Sequence, residues 1–236
     1  MLTTVSANCE EINWPDTPVW IISGASGVNE AVPDGVVDPS GNPLSGSFIG
    51  GSYTSYGEAA QFFGRQIINV GQGGAFSFDI PGTPWIGYVS QVTKGINAAQ
   101  WVDGNHAKYV VIGQMNDCFA ARTIEDLCDE VRMDFYVNNA VQAADLARSH
   151  GLEVIVHQLM PYERLDILKA LAPYGFNYEI SAEDYAVLVS KHEAAFKDRT
   201  DIHYTDPYKR VNTIDGLHPD FLSQMYAAFI DGCAVR

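Results

Sequence analysis

The sequence is poor in positive charge. Fourteen lysines and arginines face 29 aspartates and glutamates, a net charge of −15 over 236 residues. Such a surface repels phosphate backbones and anionic headgroups, which argues against nucleic acid or a membrane as partner. No CxxC pair occurs: Cys9, Cys118, Cys128 and Cys233 are widely spaced, so neither a zinc site nor a redox motif is supported. Free buried thiols are the expected state, with Cys118 and Cys128 the only pair close in sequence. Outside one C-terminal histidine considered below, His106, His150, His157, His192 and His203 form no HxxxH or HExxH pattern, and no catalytic metal is expected. The glycines Gly71, Gly73 and Gly74 lack both the lysine of a P-loop and the GxGxxG spacing, so no nucleotide cofactor is expected. The N-terminus, MLTTVSANCEE, has no basic and then apolar segment of the kind that directs export, and no apolar run is long enough to cross a bilayer. A cytoplasmic location is the default expectation; the oligomeric state is not indicated.

What is present is a chain 47% hydrophobic, enough for one well-buried domain. Residues 1–46 read as an irregular N-terminal extension packed on that domain, with one apolar run, VWIIS (Val19–Ser23), between proline- and glycine-rich stretches, as a candidate added strand. This region contains SGASG around Ser26. A G-x-S-x-G elbow would need glycine two residues after the serine, where Val28 stands, and the following residues read as loop, so Ser26 is set aside. From residue 47 to 236 strands and helices alternate. SFI, QIINV, KYVVIG, LEVIVHQL and DIHYTD read as strands. A long helix is expected from a Thr123 cap to a Gly151 stop, another from a Ser181 cap, and a last one from Asp220. Apolar strands separated by helices predict an α/β fold: a three-layer, flavodoxin-like arrangement around a parallel sheet of about five strands, order 2-1-3-4-5.

Ligands of such sheets bind beyond the carboxyl ends of the strands, and the chemically suggestive residues stand there. Ser52, in GGSYTSYG, follows SFI; Gly71, Gly73 and Gly74 follow QIINV; Asn116 and Asp117, in GQMND, follow KYVVIG; Asp215 and His218, in IDGLHPD, precede the last helix. These residue types suit acyl transfer. A serine hydroxyl attacks once an imidazole takes its proton, and a carboxylate sets the imidazole's tautomer. Pre-aimed donors stabilise the oxyanion; the Ser52 N–H, a glycine N–H and the Asn116 amide would supply them, each worth about 3 kcal/mol. Asp117 fits better as a structural Asx-turn residue. Tyr53, Tyr56, Phe76, Phe78 and Trp85 flank the predicted site, and Tyr53 and Phe76 are candidates for substrate contact.

The ordered blocks GGSYTSYG, NVGQGG, GQMND and DGLHPD resemble those of the SGNH hydrolase superfamily, the GDSL-type esterases and lipases. The resemblance runs from about residue 47 to the C-terminus. It implies a carboxylic ester hydrolase with Ser52 as nucleophile, His218 as general base and Asp215 as its orienter. Ser52, Gly74 and Asn116 would form the oxyanion hole. Gly74 lies five residues after Asn69, as the family's N-x-x-x-x-G requires; Gly71 and Gly73 stay open. Two departures stand out: Gly51 occupies the place of the family's aspartate in GDS, and GQMND carries one residue more than GxND. The implied substrate is a short acyl ester, acetyl on a carbohydrate, turned over without cofactor. An O-acyltransferase with the same residues, or a non-catalytic binding module, are the alternatives.

Overall fold

The computed structural model describes residues 18–25, 55–101 and 107–235. Ser26, SFI, Ser52 and Tyr53 lie outside the described residues. The main sheet holds five parallel strands: β1 (Val19–Ser23), β2 (Gln66–Asn69), β3 (Ala107–Ile112), β5 (Glu153–His157) and β7 (Ile202–Thr205), in the spatial order β2-β1-β3-β5-β7. Counted within this sheet alone, the order is the expected 2-1-3-4-5. The first strand, however, is VWIIS. Val19–Ser23 lies between β2 and β3, so the division at residue 46 does not separate an appendage from the core.

The reason is visible in the burial. All five residues of β1 are buried, and their side chains alternate between two cores. Ile21 joins Val110, Ile112, Val154 and Val156 in one cluster; Trp20 and Ile22 join Tyr109, Val111 and Ile155 in the other. A short run with apolar residues on both faces belongs in the middle of a covered parallel sheet. Helices α2 (Tyr88–Ala99), α3 (Glu130–Ser149) and α5 (Ala182–Phe196) cover the first face; α1 (Tyr56–Phe62) and α6 (Phe221–Ala234) cover the second. Helix α2 comes so close to β1 that a Cβ at Gly95 would run into Ile21. Ala140, Ala143, Ala144 and Ala147 give α3 a flat face against the first core.

The caps follow the sequence with one exception. Ser181 accepts a hydrogen bond from the Asp184 N–H, and Asp220 from the Ser223 N–H, as N-caps do. Helix α3 does not start at Thr123: a 3₁₀ turn, Ile124–Asp126, comes first, and Asp129 caps the α-helix through the Arg132 N–H. The Cys118–Cys128 disulfide explains the later start, since it draws residue 128 back to the exit of β3 with a Cα separation of 4.9 Å. Cys233 is also disulfide-bonded. The expectation of free thiols is therefore corrected. A two-stranded antiparallel ribbon, β4 (Ala120–Ala121) with β6 (Tyr178–Glu179), stands beside this bridge.

Candidate active site

The segment from β7 to α6 carries Asp215 and His218. Ile214 N–H donates to the His218 carbonyl at 2.9 Å and Asp220 N–H to the Asn212 carbonyl at 2.7 Å, closing a narrow loop. Gly216 sits at its tip with φ +103°, where an added Cβ would strike the Asp166 carbonyl, so glycine is required there. Its carbonyl accepts the Asp166 N–H at 2.7 Å. Within this turn Asp215 Oδ1 accepts the backbone N–H groups of Leu217 and His218 at 3.0 and 2.8 Å. Asp215 Oδ2 stands 2.6 Å from His218 Nδ1. The imidazole is 7% exposed. Burial pushes the Asp215 carboxyl up, but the hydrogen bond and charge of His218 and the two backbone donors outweigh it and hold the group at about 2. The ionised carboxylate thus accepts the hydrogen bond from Nδ1–H, which sets the tautomer with the neutral ring's lone pair on Nε2.

Gly74 and Asn116 are brought together from different strands. Gly74 has φ +79°, and Trp85 closes over it, the indole N–H donating to the Gly73 carbonyl at 2.9 Å. The Asn116 backbone N–H and its side-chain Nδ2 both donate to the Ala75 carbonyl, at 3.2 and 3.0 Å. The loops after β2 and β3 are thereby joined one residue beyond Gly74. Phe76 is half-buried; its ring lies 5.9 Å from Phe78, which lies 5.5 Å from the exposed Phe135 of α3.

Between these loops ends β1. The Gly24 carbonyl accepts the Gln72 N–H at 3.0 Å, and the Ala25 N–H donates to the Gln114 carbonyl at 2.8 Å. Gly24 and Ala25 are thus stitched to the glycine loop on one side and to the asparagine loop on the other.

Several supporting residues escaped the sequence reading. Gln91 of α2, fully buried, accepts from Ser23 Oγ and the Gly24 N–H at 2.9 and 2.8 Å and so anchors the exit of β1. Tyr88 and Tyr136 lie beneath the asparagine loop: Tyr88 donates to the Gly113 carbonyl at 2.7 Å, and Tyr136 Oη accepts the Met115 N–H at 3.3 Å. Nothing local marks these residues, because each partner is a different element far along the chain.

A second histidine–carboxylate pair has another role. His157 Nε2 lies 2.6 Å from Asp231, which also accepts from Tyr56 and Thr205 at 2.6 and 2.9 Å. Both side chains of the pair are inaccessible to solvent, so no substrate reaches them. The network joins β5, β7, α1 and α6. Among the described residues no cluster of three or more histidine, cysteine or acidic side chains is arranged to hold a metal ion, and no helix is long and apolar enough to cross a membrane.

No family model and no curated protein sequence matches the chain. Solved structures do. The chain is similar to a GDSL-like lipase from Bacteroides thetaiotaomicron, with a TM-score of 0.57, 14% identity, and 97% of this chain and 92% of that one covered. It is similar to a carbohydrate acetylesterase family member from Sinorhizobium meliloti (TM-score 0.57, 15% identity, 93% and 98% covered). It is also similar to an aryl esterase from M. smegmatis (TM-score 0.54, 16% identity, 93% and 99% covered). At such identities the likeness is one of architecture, and it covers nearly the whole of each chain. The chain has the three-layer α/β fold of the SGNH hydrolases.

Proposed function

We propose that this protein is a serine esterase that removes a short acyl group, acetyl on a carbohydrate, through an acyl-serine intermediate. One observation carries the reading: an ionised Asp215 holds His218 Nδ1 at 2.6 Å in a turn at the carboxyl ends of the strands, the end where Gly74 and Asn116 also meet. In the first step His218 Nε2 takes the serine proton as Oγ bonds to the ester carbon. The negative charge moves to the carbonyl oxygen, which the Gly74 N–H and the second Asn116 Nδ2 hydrogen would receive. The C–O bond to the alcohol then breaks, His218 returns its proton to the leaving oxygen, and water repeats the cycle on the acyl-serine. Two similar structures, those of a carbohydrate acetylesterase family member and an aryl esterase, favour small acyl esters. Phe76 and Tyr53 would wall the substrate, with Phe76 continuing into the Phe78–Phe135 row.

For the nucleophile there are two serines. Ser52 is the residue the sequence blocks select. A specific observation favours Ser26: it is the next residue after Ala25, whose backbone is tied to Gln114 at the exit of β1. In sequence Ser26 directly follows Gly24 and Ala25, so the triplet reads G-A-S where the family has GDS, with alanine in place of the aspartate. The test is p-nitrophenyl acetate and acetylated xylo-oligosaccharide hydrolysis together with fluorophosphonate labelling and peptide mapping. Label on residue 26 or 52, lost in the matching alanine variant and in His218→Ala, is the expected result. A wild-type protein that neither turns over nor labels would end the esterase reading.

A further inference from the structure

Asp117, which the sequence marks only as a turn residue, is bonded across the site. Its Oδ2 accepts the Ser77 N–H and its Oδ1 the Ser77 Oγ–H, both at 2.6 Å, from 40 positions away in the chain. Ser77 is 1% exposed and its Oγ also accepts Asn139 Nδ2 of α3 at 3.2 Å. Ser77 closes the segment that begins at Gly74, and Asp117 follows Asn116 directly. The two loops that present the oxyanion donors are therefore joined twice, by Asn116 to Ala75 and by Asp117 to Ser77. We propose that Asp117 is a positioning residue for ester hydrolysis: by gripping Ser77 it holds the Gly74 and Asn116 donors at one fixed spacing. This rests on the esterase reading given above.

The grip is held at a cost to the fold. Desolvation lifts the Asp117 carboxyl to about 6 even though Ser77 and its own backbone N–H pull it down. The ionisable groups facing it are Tyr88 of α2 and Tyr136 of α3, whose phenols burial keeps neutral, and no lysine or arginine among the described residues pairs with it. A carboxylate whose pKa is raised on folding weakens the fold as pH rises through that value. A residue kept only for stability would not be of this kind. A carboxylate has what an amide lacks, two acceptors, and Ser77 presents two donors.

The experiment compares wild type with Asp117→Asn, Asp117→Ala and Ser77→Ala at pH 8, reading kcat and KM for p-nitrophenyl acetate, thermal midpoint, and amide hydrogen exchange across residues 73–77. Losing one well-placed oxyanion donor costs about 10²–10³ in rate. Accordingly Asp117→Ala should lose about 10² in kcat with KM little changed, and exchange at Gly74–Ser77 should rise. Asp117→Asn, which keeps one acceptor, should recover about tenfold of that loss with a midpoint no lower than wild type. Wild-type kcat in Asp117→Ala, or a loss confined to the thermal midpoint, would overturn the assignment while leaving the esterase reading intact. No turnover in the wild type would overturn both.

Discussion

Asp215→Asn is the most informative single change, because the structure dictates how the new amide must sit. Asp215 Oδ1 accepts two backbone N–H groups, those of Leu217 and His218. In the variant these donors need an oxygen, since turning the amide would set its NH₂ against two N–H groups and leave them unsatisfied at about 1–3 kcal/mol each. The amide oxygen therefore stays at the Oδ1 position, and the NH₂ falls where Oδ2 lay, 2.6 Å from His218 Nδ1. A donor there forces Nδ1 to accept, so the ring proton moves to Nε2, and the imidazole can no longer take a proton from serine. The same exchange in a serine protease triad costs about 10⁴ in kcat, about 5.5 kcal/mol of barrier. Stability should change far less. The Asp215 carboxyl, held at about 2, contributes stability above its unfolded value near 3.8, and that contribution is lost as pH falls toward 2. Its side chain is 31% exposed, and solvent screening leaves about 1 kcal/mol at pH 8. The assay is p-nitrophenyl acetate turnover at pH 8 beside a thermal melt. A folded Asp215→Asn protein that keeps more than about a tenth of wild-type kcat would refute the tautomer argument.

Three further outcomes concern the frame of the site. Cys118→Ser removes a bridge between residues 10 apart; by loop-closure entropy this costs about 3 kcal/mol, and the thermal midpoint should fall by several degrees, while a thiol titration of the unreduced, unfolded wild type should show no reactive Cys118 or Cys128. His192 is buried among Tyr136, Phe196 and Tyr204, and desolvation lowers it to about 3. A depressed histidine contributes its full stability above about pH 6.5 and loses it as pH falls toward 3, up to about 5 kcal/mol. Acid titration followed by circular dichroism should show this loss, and His192→Phe should move the unfolding midpoint to lower pH. Asp231→Asn leaves one amide oxygen for the hydroxyls of Tyr56 and Thr205 and for His157 Nε2, all buried, and should lower the urea-derived stability by about 2–4 kcal/mol without changing KM.

What was legible in the sequence was local. Asp215 and His218 are three residues apart with a glycine between them, so one turn decides their contact. Ser181 and Asp220 cap helices through atoms three residues away. The neighbouring placement of Gly74 and Asn116 was legible because each follows a strand, and parallel strands deliver their exits to one edge of a sheet. The supports of the site were hidden by the same logic. Gln91 reaches β1 from 68 positions away, Tyr88 meets Tyr136 across 48, and Asp117 meets Ser77 across 40. The first two pairings are made by the packing of α2 and α3 on the sheet and the third by the meeting of two loops, and no short window contains any of them. The misplaced start of α3 has the same origin, since a bridge from Cys128 to Cys118 overrules the cap chemistry at Thr123.

The first strand was misassigned for a different reason. VWIIS and SFI are both short and apolar, and only length and β-branching separate them. VWIIS, longer and with two adjacent isoleucines, fits a strand buried on both faces; SFI is three residues long and runs into two glycines. Proline and glycine on either side of VWIIS made it look like a strand added by an irregular extension, outside the core alternation. In a doubly covered sheet, however, a central strand needs only enough residues to cross the core, and turn-forming residues at both ends are what such a strand requires. Val19–Ser23 is an interior strand of the order, between β2 and β3. Gly24 and Ala25 are already bonded to the loops of Gln72 and Gln114. Ser52 stands 29 positions beyond Ser23 and three before the Ser55 that caps α1. Ser26 directly follows Ala25 in sequence. A single peptide bond separates it from the stitched end of β1, which is why labelling of residue 26 is the outcome the topology favours.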